Sequence, residues 1–353
     1  MYIMKKFSKL IAVLLVISML WLLPVGVSAA SLDDGLEPLK SEFVFGEGPV
    51  EDGYSVDYRY YSPVKEGDAT KYPLVVWLHG MGDGASDGVQ VQNSGIAYWA
   101  SDEFQARFEP AGGAFILAAR SREENGIYWD DEMIAPLRAA VNDFIVQHGD
   151  NIDLTRIYVG GYSMGGKMTL KMAISYPEMF AAAFPICPAW APDEGLISHL
   201  SIMPIWLTSS TLDPLVNYYL SVSPTWDKIV EVSNVAEECR FSTITNVCYP
   251  DGTPTSSAHH TWFAVNYDMF SIENGAYPNM TTVDGLGDKV ELTYPEGMIS
   301  WLSEHTSEYD GEVIDGTGNI SPDDDTDNMF AFTDIFELLS LLFDALLKLL
   351  GIK

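Results

Sequence analysis

The sequence predicts an α/β fold, a mostly parallel sheet with helices on both faces, and three observations carry the prediction. Continuous apolar runs such as residues 74–78 read as strands buried on both sides. Segments with apolar residues at helical spacing alternate with those runs, as βαβ units do. A G-x-S-x-G pattern, Gly161-Tyr162-Ser163-Met164-Gly165, stands where one strand should pass into a helix.

The elements follow in order along the chain. Residues 55–61 alternate and are rich in aromatics, which makes them a strand. Residues 74–78 form a buried strand ending in His79-Gly80, and residues 114–118 form another. Over residues 132–148 the apolar side chains Ile134, Leu137, Val141 and Ile145 share a helical face, and Gly149 stops the helix. Residues 156–160 are a third buried strand, followed by a helix over 164–175 that Tyr176-Pro177 ends. Residues 180–186 and 205–209 are further short apolar runs, and 241–247 is β-rich. Residues 226–232 and 262–270 have helical character. The expected domain, residues 30–309, holds no internal repeat.

The two ends are different in kind. Lys5, Lys6 and Lys9, an apolar run over 10–23 and Val27-Ser28-Ala29 have the layout of a secretory signal peptide. Residues 1–29 are therefore expected to be removed and the rest secreted. Pro24 and Gly26 interrupt the run, which favours cleavage over an uncleaved anchor. Residues 310–328 are dominated by Gly, Asp, Thr and Pro and contain Asp323-Asp324-Asp325, an acidic solvated linker. Residues 329–353 read as an amphipathic helix, with Asp334, Glu337, Asp344 and Lys348 near one face. Those charges argue against a membrane span. Two readings of the helix stand: attachment to a membrane surface or cell envelope, and docking on its own domain or a second copy.

Lys and Arg number 19 against 50 Asp and Glu, a formal charge of −31. Such a surface repels phosphate backbones and excludes nucleic acid as an expected partner. It also opposes an anionic membrane. Cys187, Cys239 and Cys248 lack the paired spacing of a zinc site. In an oxidising compartment Cys239 and Cys248 could close a short loop, a pairing the sequence leaves open. Cys187 would then be a buried free thiol.

At a strand-to-helix junction the G-x-S-x-G turn is sharp, and Ser163 is held strained with its oxygen above the sheet. A hydroxyl is a poor nucleophile unless a base takes its proton. Partners in this arrangement follow in the order Ser, acid, His. Asp213 lies in the turn after the run 205–209, where such an acid belongs. Asp227 falls in a helical segment, and Asp251 is suited to shaping a Pro-Asp-Gly turn. Of six histidines, His259 and His260 follow Asp213 and precede an aromatic segment. Oxyanion donors are expected at the backbone N–H groups of Met164 and of Met81, in Leu78-His79-Gly80-Met81-Gly82. His79 is expected to brace that loop rather than to react. Trp129 and Tyr128, in a loop after a strand, and Trp190 are candidates to stack on a flat acyl or sugar ring.

The segments "LHGMGD", "RIYVGGYSMGGKMTLKMAISYPEMFAAAFPI", "PIWLTSSTLDPLV" and "HHTWFAVNY" carry a resemblance. They resemble secreted α/β-hydrolase esterases related to feruloyl esterases, polyhydroxybutyrate depolymerases and prolyl-oligopeptidase-like hydrolases. The resemblance implies an α/β-hydrolase fold, with Ser163 as nucleophile and Asp213 as acid. It implies His259 as base, three residues before Trp262, with His260 as the alternative. Two positions depart from the pattern: Ser209-Ser210 replaces a common His-Gly pair, and Ala258 replaces a common glycine.

The expected activity is hydrolysis of a carboxylic ester outside the cell, with a small-molecule or polymer ester as substrate and no metal or organic cofactor. Acetylated or feruloylated plant polysaccharide comes first by resemblance, polyester second. A peptidase acting on short peptides is an alternative, and a non-enzymatic scaffold working through the C-terminal helix is another.

Overall fold

The computed structural model of the protein describes residues 36–272, 275–277 and 279–311. The chain divides into two units, residues 1–37 and 38–353. The first lies outside the described residues except for Leu36 and Glu37, and the account below concerns the second. The expected signal peptide, the linker from residue 312 and the C-terminal helix 329–353 also lie outside the described residues. Among the described residues no helix is long and apolar enough to cross a membrane.

Nine strands form one sheet: β1 (Val44–Glu47), β2 (Asp57–Tyr61), β3 (Tyr72–Leu78), β4 (Phe115–Arg120), β5 (Ile152–Tyr162), β6 (Ala182–Ile186), β7 (Trp206–Ser210), β8 (Arg240–Ile244) and β9 (Met280–Asp284). Their spatial order is β1-β2-β4-β3-β5-β6-β7-β8-β9. From β4 to β8 neighbouring strands are parallel, while β1, β2 and β9 join antiparallel at the edges. The central strands are apolar on both sides because both faces are covered. Every residue of β3, β4, β6 and β7 is buried. Each large apolar side chain buried there is worth about 1.5–3 kcal/mol. The main helices are α1 (Ile134–His148), α2 (Met164–Ser175) and α3 (Ser223–Val232).

The chain moves from β3 outward to β4, then returns to place β5 on the other side of β3. The loops after β3 and β5 therefore diverge, leaving a crevice at the carboxyl ends of these two strands. The carboxyl end of β5 is Tyr162, and the strand registers Leu78 opposite Gly161.

Two glycines make that register possible. A Cβ on Gly165 would stand 2.1 Å from the Leu78 carbonyl oxygen and 2.5 Å from that of His79. One on Gly161 would stand 2.3 Å from the same Leu78 oxygen. These are backbone atoms of the neighbouring strand and have little freedom to withdraw. Gly165→Ala is therefore expected to cost about 1–3 kcal/mol or more by overpacking. Thermal unfolding against the unchanged chain checks this, and an unchanged midpoint would show that the junction has room.

Several sequence expectations shift at their edges. The expected helix over 262–270 ends early, as α4 (Trp262–Asn266), because Asp268 turns to φ 47°. The Asp268 carboxylate accepts from Met298 N–H and pairs with Arg107. Strands β1 and β9 and the helix α5 (Met298–Glu304) were not expected. A Cys239–Cys248 bridge does not form: the thiols are free. They flank the whole of extended β8, which at roughly 3.3 Å per residue separates them far beyond bridging distance.

Candidate active site

Ser163 follows β5 directly and precedes α2. Its backbone sits at φ 56°, ψ −117°, a region costly for any residue with a side chain. Neighbouring structure holds it there. Its N–H donates to the Ile186 carbonyl at 3.0 Å, and its own carbonyl accepts from Lys167 N–H and Ala189 N–H. The residue is 7 % exposed.

Asp213 lies in the turn after β7, with its side chain fully buried. It uses both carboxylate oxygens. Oδ1 accepts from Leu215 N–H at 2.8 Å and Val216 N–H at 3.0 Å. Oδ2 accepts from His259 Nδ1 at 2.7 Å. Because a carboxylate only accepts, Nδ1 carries a proton, and in the neutral ring it is Nε2 that keeps the lone pair. The His259 N–H donates to Ser257 Oγ, and its ring meets Trp262 edge-on at 5.5 Å. Trp262 in turn packs on Tyr162 at 4.1 Å, and the Tyr162 hydroxyl donates to Asp83. The residue beside Ser163 thus supports the loop that carries His259.

Burial disfavours the charged form of His259, but Cys187 and Asp213 beside it favour that form more. Its pKa stands above the ordinary 6.5. His260 behaves in the opposite way. Burial, reinforced by the charge of His259, lowers it to about 4. Its ring packs against Trp262 and Phe263, and its buried Nδ1 has no partner among the described residues. The structure therefore gives the carboxylate to His259. Asp251 instead closes its own turn by accepting from Thr253 N–H, and Asp227 lies in α3.

No hydrogen bond between Ser163 Oγ and His259 is formed among the described residues. Strand order connects them: Ser163 follows β5, Cys187 follows the adjacent β6, and Asp213 follows β7 beyond it. The Cys187 thiol donates to the His259 carbonyl at 3.7 Å.

The Met81 and Met164 amides have no hydrogen-bond partner among the described residues, as oxyanion donors require. The Met81 loop is braced on both sides. His79 is fully buried, with Nδ1 donating to Gly80 O at 2.7 Å and Nε2 accepting from Ser121 N–H at 3.1 Å. Burial pushes its pKa down to about 4, so the ring stays neutral. Gly82 N–H donates to the Glu123 carboxylate.

Two of the three candidate stacking residues are corrected by their burial. Trp129 is 1 % exposed, and its indole N–H donates to the His79 carbonyl. It props the Met81 loop from within the core and offers no face to a substrate. Trp190 is 3 % exposed and packs against the Lys171 ammonium at 4.8 Å. Tyr128 keeps part of its surface accessible.

Sequence reasoning underrated Cys187. Its thiol, a ring nitrogen of His259 and a carboxylate oxygen of Asp213 lie within 4.8 Å of one another, the set among the described residues able to hold a metal ion. Only the strand order brings these three loops together. A surface cavity of about 740 Å³, lined by Glu103, Arg107, Glu109, Tyr294, Glu296 and Glu304 among others, belongs to a different region. Ser303 on its wall bonds Arg156 near the amino end of β5, away from Ser163.

No protein-family model matches the chain, and no curated protein does. Solved structures do. A thermostable esterase is 26% identical with a TM-score of 0.57, covering 76% of this chain and 64% of its own. The chain thus spans somewhat under two thirds of that relative. The Thermogutta terrifontis esterase Est2, from a planctomycete, is 14% identical with a TM-score of 0.47, covering 65% of this chain and 90% of its own. An acylaminoacyl peptidase from Pyrococcus horikoshii is 16% identical with a TM-score of 0.40, covering 54% and 35%. The sheet order and the likeness to the first of these show an α/β-hydrolase fold.

Proposed function

We propose that the protein is a serine hydrolase that cleaves carboxylic esters. The observation that carries this reading is the 2.7 Å Asp213–His259 pair, set at the same end of the sheet as a strained Ser163. The 26% identity with a thermostable esterase supports ester over peptide cleavage.

Ser163 Oγ attacks the ester carbonyl while His259 Nε2 takes its proton. Asp213 keeps the imidazole in the tautomer that leaves Nε2 free and stabilises the imidazolium that forms. The amide N–H groups of Met81 and Met164 receive the developing oxyanion. The imidazolium protonates the leaving alcohol. Water then attacks the acyl-enzyme by the reverse route, with His259 again as base.

The finer reading is a secreted enzyme acting on acetyl or feruloyl esters of plant polysaccharide. Secretion rests on the leader-like residues 1–29, and the substrate on motif resemblance alone. A polyester is the second choice.

A fluorophosphonate probe tests the reaction class. It should attach to the purified protein at Ser163, located by peptide mapping, and block turnover of p-nitrophenyl acetate. Labelling elsewhere, or turnover of peptide anilides without ester turnover, would replace the reading. The pH profile is a second check. His259 must be neutral to accept a proton, and its pKa is raised, so kcat/KM should climb with pH and reach half its plateau above 6.5. A midpoint well below that value would mean another group limits the acid side.

A further inference from the structure

We propose that Cys187, Asp213 and His259 form a latent site for a thiophilic divalent cation, Zn²⁺ in particular, and that its occupancy switches hydrolysis off. The switching clause rests on the function proposed above; the binding clause does not.

The three donors come from three neighbouring strand ends. Cys187 follows β6, the strand between the one that leads to Ser163 and the one that leads to Asp213. The Cys187 N–H is anchored on the Thr208 carbonyl of β7 at 2.8 Å. Its backbone takes φ 35°, a left-handed value unusual outside glycine. Sγ points to the His259 loop, where it donates to the carbonyl.

The donor spacing suits a small cation. Sulfur, nitrogen and oxygen around one tetrahedral zinc ion lie about 3.3–3.6 Å apart. Here all three lie within 4.8 Å. The sulfur needs to close by little more than about 1 Å to reach that spacing. The 2.7 Å Asp213–His259 hydrogen bond must open slightly. One thiolate, one imidazole and one carboxylate select zinc over magnesium or calcium, which prefer oxygen alone. Ser163 or water would complete a four-coordinate shell.

The charge balances. The ion takes the place of the thiol proton, which leaves to solvent, while the imidazole keeps its single proton, on Nδ1 when Nε2 binds and on Nε2 when Nδ1 binds. Thiolate and carboxylate then neutralise the dication in a buried place. Inhibition should accordingly strengthen as pH rises. Binding at either ring nitrogen removes the base. Metal on Nε2 occupies the lone pair that Ser163 needs. Metal on Nδ1 leaves Nε2 carrying the ring proton.

The test uses the full-length protein freed of metal by chelator dialysis. Co²⁺ is titrated and thiolate-to-cobalt charge-transfer absorption is recorded, with no substrate present. Hydrolysis of p-nitrophenyl acetate is then measured in Zn²⁺ buffers, with Mg²⁺ as control. Loss of a direct ligand should cost at least the roughly 10–100-fold that loss of an outer-shell partner costs. Half-inhibition should therefore need at least about tenfold more Zn²⁺ in Cys187→Ser and in Cys187→Ala than in the unchanged chain, each compared with its own uninhibited rate. EDTA should restore activity. The cobalt band should persist in Cys248→Ser and Ser163→Ala and vanish in Cys187→Ser.

Equal zinc sensitivity in the unchanged chain and both Cys187 variants would overturn the switch. Absence of the band in the unchanged chain, or its survival in Cys187→Ser, would overturn the site. An intact band in a chain with no ester turnover would sustain the site and defeat only the proposed function.

Discussion

Replacing Ser163 by alanine should lower the turnover of short p-nitrophenyl esters by about 10⁴–10⁶-fold, because the group that forms the acyl-enzyme is gone. The rest of the site should survive. The strained backbone at this position is fixed by Ile186, Lys167 and Ala189, which bond main-chain atoms that alanine also has. The Asp213–His259 pair does not depend on the serine hydroxyl, since no bond joins them. Thermal unfolding should therefore stay close to that of the unchanged chain while the rate collapses. Oxyanion donors and substrate binding leave a residue of catalysis above water, so the loss should be large but finite. Retention of a tenth of the original rate, with the protein shown free of contaminating esterase, would remove Ser163 from the reaction.

Asp213→Asn should reduce kcat by about 10⁴-fold with little change in KM. The reason lies in how the carboxylate is used. One oxygen accepts from two backbone amides and the other from the imidazole. Asparagine has a single oxygen. With that oxygen on the amides, its NH₂ faces Nδ1 and forces the ring proton onto Nε2, where the serine proton must go. With the oxygen on the imidazole, its NH₂ collides with Leu215 and Val216 N–H. His260→Ala is the matched comparison. That ring touches Trp262 and Phe263 but not the carboxylate, so most of the rate should remain. Comparable losses from His259→Ala and His260→Ala would break the assignment of the base.

Much of this site is visible in one dimension because its parts have local signatures. Gly161, Ser163 and Gly165 announce a tight strand-to-helix turn, and the structure explains both glycines through the Leu78 carbonyl. Apolar runs marked the parallel strands well, since a strand covered on both faces has no room for polar residues. What depended on strand order was less legible. Nothing local says that residue 187 ends beside residue 259, 72 positions along the chain. Trp129 and Trp190 looked like loop aromatics near a site, yet both turn inward: the Trp129 indole N–H finds the His79 carbonyl within the core, and the Trp190 ring packs against the Lys171 ammonium. Strand β1 is short with glycine inside it, and β9 is threonine-rich at an edge, so neither shows a buried strand's continuous apolar run.

The main-chain origin of the proposed oxyanion donors separates chemistry from selectivity. At position 81 any residue except proline supplies the same N–H, and the methionine there is 36 % exposed, so its side chain is open to exchange. Natural drift or directed evolution can therefore reshape which acyl or alcohol group is admitted there without touching a reacting atom.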